Sequence, residues 1–274
     1  MKSQLNDFQG AIADYTAAIK LNPDDADAYY NRSVAKSWLN DFPGAIADST
    51  EAITLNPDDA DAYYHRGAVK NRLNDFPGVI ADSTVAITLN PKDARAYRSR
   101  GVAKILLNDF KGAIADYTEA ITLNPDDADA YYNSGLAKGY MKDFQGAIAD
   151  FTDSIKLSPD HTDVYFSRGM VKGWLNDFSG GIDDYTESIK LSPNYADAYY
   201  NRCLAKYWLK NFSGSIADCT KTINLRPSPE MLEMTYWIRG FSHTGLGDEK
   251  GATDDFNRAK ELHPKTSSQS FFTH

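Results

Sequence analysis

Apolar positions along residues 42–55 recur at the spacing of one helical face: Phe42, Ala45, Ile46, Ser49, Ala52 and Ile53. Pro43 falls in the first turn, where its missing N–H costs nothing, and Pro57 stops continuation. The stretch before it, from about 26 to 39, predicts a second kind of helix. Asp24 and Asp25 offer an N-cap and an acidic first turn, and Asn40 tolerates the left-handed conformation that ends helices. That helix has no obvious apolar face, because Tyr29, Tyr30, Arg32 and Lys36 all sit on it. Two helices of this kind make a hairpin that cannot bury both its faces alone.

The pair repeats. Pro23, Pro57, Pro91, Pro125, Pro159, Pro193 and Pro227 stand 34 residues apart, and Pro264 follows after 37. Six residues after the first six of these prolines come Tyr29, Tyr63, Tyr97, Tyr131, Tyr165 and Tyr199. The period predicts an all-α chain: the second helix of a partial repeat within 1–25, seven hairpins across 26–264 starting near 26, 60, 94, 128, 162, 196 and 230, and a frayed tail at 265–274. An insertion near "RPSPEMLEMTY" precedes the last hairpin.

Several of these residues together resemble the tetratricopeptide repeat (TPR). They are the 34-residue period, the early aromatic Tyr29, the small residue four further on (Ser33, Gly67, Gly101, Gly135, Gly169, Cys203, Gly240), and Ala45, Ala52 and Pro57. The resemblance covers nearly the whole chain. It implies a right-handed superhelical solenoid of antiparallel helix hairpins, with first helices lining a concave groove that binds a peptide or helix of a partner protein. The chain departs from the pattern where a leucine and a tyrosine are usual, placing arginine and lysine there instead.

Those departures recur: Arg32 with Lys36, Arg66 with Lys70, and Arg100 with Lys104, then Arg168, Arg202 and Arg239, with Ser134 the one missing arginine. The second helices supply an aspartate at a fixed offset, at Asp14, Asp48, Asp82, Asp116, Asp150, Asp184, Asp218 and Asp255. A structural charge ladder accounts for residues that occur in nearly every unit, because catalysis needs one asymmetric constellation. On the groove side the resemblance directs attention to Tyr30, Asn31, Tyr64, His65, Ser99, Tyr132, Asn133, Phe166, Tyr200 and Asn201, edged by Asp27, Asp61, Asp129, Asp163 and Asp197. Further along the same helices Trp38, Arg72, Leu106, Tyr140, Trp174 and Trp208 vary, where selectivity would reside. One unit breaks the pattern with Lys92, Arg95 and Arg98: either a basic island for a carboxylate, or arginines paired to Asp61 and Asp129. The carboxylate clamp of chaperone-binding TPRs is not expected, since aspartates occupy most of its basic positions.

Composition narrows the field further. Lys plus Arg total 29 against 38 Asp plus Glu, a formal charge of -9, which opposes nucleic-acid and anionic-membrane partners. The five histidines form no metal-ligand or nucleophile motif, so no metal, cofactor or catalytic activity is expected. The two cysteines, Cys203 and Cys219, lie in the two helices of one unit, read either as packed small hydrophobes or as a bonded pair. Without a disulfide framework, signal sequence or membrane span, the default compartment is the cytoplasm. The reading is a non-catalytic adaptor. Its alternatives are a scaffold that dimerises through uncapped ends, or a regulatory region of a larger protein.

Overall fold

The computed structural model describes residues 7–262, so the expected tail at 265–274 lies outside the described residues. Among these, every regular element is a helix, and two compact units divide them at residues 141 and 142. The first unit holds α1 (Phe8–Leu21), α2 (Ala26–Trp38), α3 (Phe42–Leu55), α4 (Ala60–Arg72), α5 (Phe76–Leu89), α6 (Ala94–Leu106), α7 (Phe110–Leu123) and α8 (Ala128–Tyr140). The second holds α9 (Phe144–Leu157), α10 (Thr162–Trp174), α11 (Phe178–Leu191), α12 (Ala196–Trp208), α13 (Phe212–Asn224), α14 (Pro229–Gly245) and α15 (Glu249–Leu262). Within each unit consecutive helices pack on one another, and first helices also touch across successive hairpins, as α2 does α4 and α10 does α12. This is an all-α helical-repeat fold.

Local chemistry sets the ends. The Asp25 carboxylate accepts from the Ala28 amide at 3.0 Å, and Asp41 caps α3 through the Gly44 amide at 3.0 Å. Such caps stabilise a helix by about 1 kcal/mol each. The turn out of α2 is a Schellman motif: Asn40 has φ of 61°, its amide donates to Ser37 O at 3.1 Å, and the Asp41 amide donates to Lys36 O at 3.0 Å. Asn74, Asn108 and Asn176 repeat the left-handed residue, with Lys142 and Lys210 in the equivalent place elsewhere. Second helices end differently, with an extended Asn56 before Pro57. At the insertion α13 instead closes on a left-handed Arg226, and Ser228 caps the longer α14.

The interior is built mainly of alanine. Ala45, Ala62, Ala96, Ala113, Ala130, Ala147 and Ala198 are fully buried, which lets helix axes approach closely. Where a second helix carries a ring at this slot, its partner carries glycine, while Gly67 lies against Ser83 instead. A Cβ on Gly101 would approach Tyr117 Cζ to 2.9 Å, and one on Gly169 would reach Tyr185 Cε1 at 2.8 Å. Small residues pair with small ones: Ser33 and Ser49 share a 2.6 Å hydrogen bond. Cys203 and Cys219 occupy the same two slots in their repeat and are joined as a disulfide, so of the two readings open from sequence the bonded pair is the one present.

Candidate functional site

Two sets of polar residues emerge on the helices, and they do different things. The first is internal. Arg66 donates from Nε and Nη2 to both carboxylate oxygens of Asp82 at 3.0 and 2.7 Å, and Lys70 Nζ adds a 2.8 Å contact. The same fork joins Arg32 and Lys36 to Asp48, and Arg100 and Lys104 to Asp116. Arg168, Arg202 and Arg239 form it with Asp184, Asp218 and Asp255 in the second unit. In the last repeat His243 stands in the lysine position, with Nε2 3.8 Å from Asp255. The aspartates are almost fully buried, and hydrogen bonding to Asp82 holds the Arg66 guanidinium above its usual pKa.

Two further partners complete each arginine. Its guanidinium lies over the tyrosine three residues earlier, 5.6 Å from the Tyr63 ring for Arg66 and 5.4 Å from Tyr29 for Arg32. Its remaining nitrogen reaches into the preceding repeat, Arg66 Nη1 donating to Thr50 Oγ1 at 3.1 Å and Arg32 Nη1 to Thr16 at 3.1 Å. Thr84, Thr152, Thr186 and Thr220 serve Arg100, Arg168, Arg202 and Arg239 in the same way. The threonine is free to accept because its own hydroxyl hydrogen goes to the carbonyl four residues back, Thr50 to Ile46 O at 2.7 Å. Sequence reasoning missed these threonines, although they recur with the repeat. Asp14 at the same repeat position is exposed on α1, whereas Asp48, Asp82, Asp116, Asp184, Asp218 and Asp255 are buried.

The second set is exposed or half-buried on the first helices. In the first unit a cleft of about 310 Å³ is lined by Tyr64, Ala68, Asn71, Arg95, Arg98, Ser99, Val102, Asp129 and Asn133. Its arginines are already engaged. Arg95 donates to Asp61 at 2.8 Å and to both oxygens of its helix cap, Asp93, and it lies 4.8 Å from the Tyr64 ring centroid. Arg98 is 3.2 Å from Asp129 and 3.5 Å from Asp127. Of the two readings of the basic island, paired arginines are therefore what the structure contains. Asp61 and Asp129 remain more than half exposed beside them.

Next to this cleft Tyr30 meets His65 edge-on at 5.7 Å, and His65 Nε2 is 3.1 Å from Ser33 Oγ. Burial pushes the His65 pKa below its usual value, so the ring is neutral near pH 7. Burial, with Asp61 second, raises that of Tyr30. Asn31 and Asn133 each donate their amide N–H₂ to the backbone carbonyl four residues back at 2.8 Å. Tyr132 is half-buried on α8.

Candidates in the second unit divide between packing and surface. Phe166 packs between Tyr185 and Tyr195, with ring centroids 6.0 and 5.0 Å away. The Tyr200 hydroxyl is directed at Met234 Sδ at 3.8 Å, and burial pushes its pKa up to about 12. Both rings are half-buried, as Tyr64 and Tyr132 are. Asn201 repeats the Asn31 arrangement on Asp197 O. The variable positions at the far end of the first helices stack on the phenylalanine that opens a preceding second helix: Trp38 on Phe8, Tyr140 on Phe110 and Trp208 on Phe178, with Arg72 over Phe42. No helix among the described residues is long and apolar enough to cross a membrane. Nor do they contain a group of three or more His, Cys, Asp or Glu placed to hold a metal ion.

A TPR-repeat model matches residues 3–36 and 103–139, and a tetratricopeptide-repeat model matches 128–161. No curated protein matches the chain as a relative. Among solved structures, the C-terminal part of a TPR repeat-containing protein from Cytophaga hutchinsonii is similar at TM-score 0.73 and 14% identity, over 87% of this chain and 96% of that one. YrrB, described as a TPR protein with an unusual peptide-binding site, is similar at TM-score 0.61 and 22% identity, over 67% and 95%. MamA from Desulfovibrio magneticus RS-1 is similar at 0.59 and 23%, over 64% and 97%. The family-model matches together with the 34-residue period show that the chain carries tetratricopeptide repeats, and the structural neighbours share its helical-repeat fold.

Proposed function

We propose that the chain is a non-catalytic adaptor that holds a peptide or helical segment of a partner protein along the first helices of its first unit. The observation that carries this reading is the cleft between α4, α6 and α8. It joins the Tyr64 ring, the Asn133 side-chain amide and the Asp129 carboxylate in one lining, with Asp61 paired to Arg95 beside it. Aromatic area with hydrogen-bonding groups beside it suits peptide recognition, because the rings lose little conformational entropy on contact. Arg95 and Arg98 are held by four aspartates, so the surroundings carry an acidic excess. That excess favours a segment bearing lysine or arginine and speeds its encounter. YrrB, a neighbour in fold, is a peptide binder by its description, and the same class of ligand is proposed here.

The test is affinity capture with the immobilised chain, followed by binding measurements on the recovered partner. Asn133→Ala with Asp129→Lys should weaken binding at least tenfold without changing helicity. Unchanged binding by this double variant would remove the groove from consideration.

A further inference from the structure

Where a first helix turns into its second, the first unit leaves large apolar side chains in water. Trp38 and Tyr140 are each 66% exposed, and Leu106 is 51% exposed. The residues that follow them, Leu39, Met141 and Leu107, are between 42% and 52% exposed, and Leu73 after Arg72 is 46% exposed. The rings are held in place, Trp38 stacking on Phe8 at 5.6 Å and Tyr140 on Phe110 at 4.7 Å. Because α2 touches α4, α4 touches α6 and α6 touches α8, equivalent residues of successive hairpins are neighbours, at the spacing of packed helices, about 8–10 Å. Single exposed leucines need no explanation, whereas a contiguous apolar strip marks an interaction site.

We infer that this strip, running across the ends of α2, α4, α6 and α8, is a docking surface for an amphipathic helix of a partner protein with lysine or arginine beside its apolar face. The spacing argues for a helix: seven residues rise about 10.5 Å, so apolar residues one heptad apart meet successive repeats. Three such steps take a helix of about 16–20 residues. Charge decides the flanks. Asp7, Asp41, Asp75 and Asp109 are exposed at the same turns, each accepting from a glycine amide. Arg72 and Lys111 offset them only in part, and Lys142, which follows Met141, is answered by Asp143. A second copy would set this acidic row against itself and an anionic bilayer would repel it, whereas a basic helix is drawn in. In the second unit Trp174 and Trp208 repeat the exposed ring, but Lys210 offsets Asp177 and the acidic excess is absent from those turns. The strip shares no residue with the cleft between α4, α6 and α8, and the inference does not rest on the groove reading.

A fluorescein-labelled peptide of about three heptads, with leucine at a and d, lysine at e and g and alanine elsewhere, serves as the probe, read by anisotropy against the whole chain. Saturable binding is expected. It should fall at least tenfold when Trp38→Ser, Leu106→Ser and Tyr140→Ser are combined, with helicity unchanged. The single exposed-site change Leu106→Lys should weaken it at least fivefold. The same peptide with glutamate in place of lysine should bind at least tenfold more weakly. The groove variant Asn133→Ala with Asp129→Lys should bind the probe as the unaltered chain does, which separates failure of this inference from failure of the groove. Absence of binding, binding indifferent to the strip variants, or equal binding of the glutamate peptide overturns the inference. So does self-association in light scattering, or co-sedimentation with phosphatidylcholine vesicles, that the triple variant abolishes while the peptide fails to bind, because the occupant is then a second copy or a lipid surface.

Discussion

A carboxylate withdrawn from water is tolerable only when its charge and lone pairs are met. Asp82, 3% exposed, meets that condition through Arg66 and Lys70. Removing the anion leaves two cations facing each other in a nearly closed space. Asp82→Ala should therefore cost about 3–5 kcal/mol in urea denaturation, the range for breaking a buried pair from one side. Asp14→Ala, at the same repeat position but exposed, should stay within about 0.5 kcal/mol of the parent. If the two substitutions cost alike, burial of the fork is not what gives the aspartate its weight. At this scale the aspartate, arginine and lysine were legible from period alone, since they recur together. The threonine was not, because it serves the arginine of the following repeat, and only packing reveals which repeat a side chain addresses.

Helices here are delimited by short-range chemistry, and that makes their ends separable from the core. The left-handed residue after each first helix is asparagine at Asn40, Asn74, Asn108 and Asn176 but lysine at Lys210, with φ of 59°. An L-residue other than asparagine pays roughly 1–2 kcal/mol in that conformation, and glycine does not. Lys210→Gly should accordingly raise stability by about 0.5–1 kcal/mol, after the added freedom of the unfolded chain is deducted. Asn108→Gly should be nearly neutral, both read as shifts in the urea midpoint. Boundaries of this kind could be read from sequence to within a residue or so, as for α3 at 42–55. The neighbours of the groove candidates were less legible: Phe166 and Tyr200 share a register with Tyr64, yet Phe166 meets Tyr195 and Tyr200 meets Met234 where Tyr64 meets Arg95.

Across the molecule, repeats of this kind add their stabilities through nearest-neighbour contacts, so a local staple has a local effect. The Cys203–Cys219 bond closes a loop with a sequence separation of 16. Loop closure of that length constrains the unfolded chain by about 3 kcal/mol, an advantage lost on reduction. Hydrogen exchange in α12 and α13 should therefore quicken in reducing buffer, while α4 to α6 keep their protection. Equal effects everywhere would mean that the array unfolds as one cooperative block.

The sequence by itself determined the helical period, the alternation of two helix types and the residues of the charge ladder, because each is a local or periodic constraint that every unit must satisfy. Tertiary structure alone decided which arginine reaches which threonine, that Arg95 and Arg98 are held by aspartates, and that the cysteines meet. It alone separated α1 from α7, whose sequences are nearly the same, because burial depends on what lies across the interface and not on the helix that bears the face.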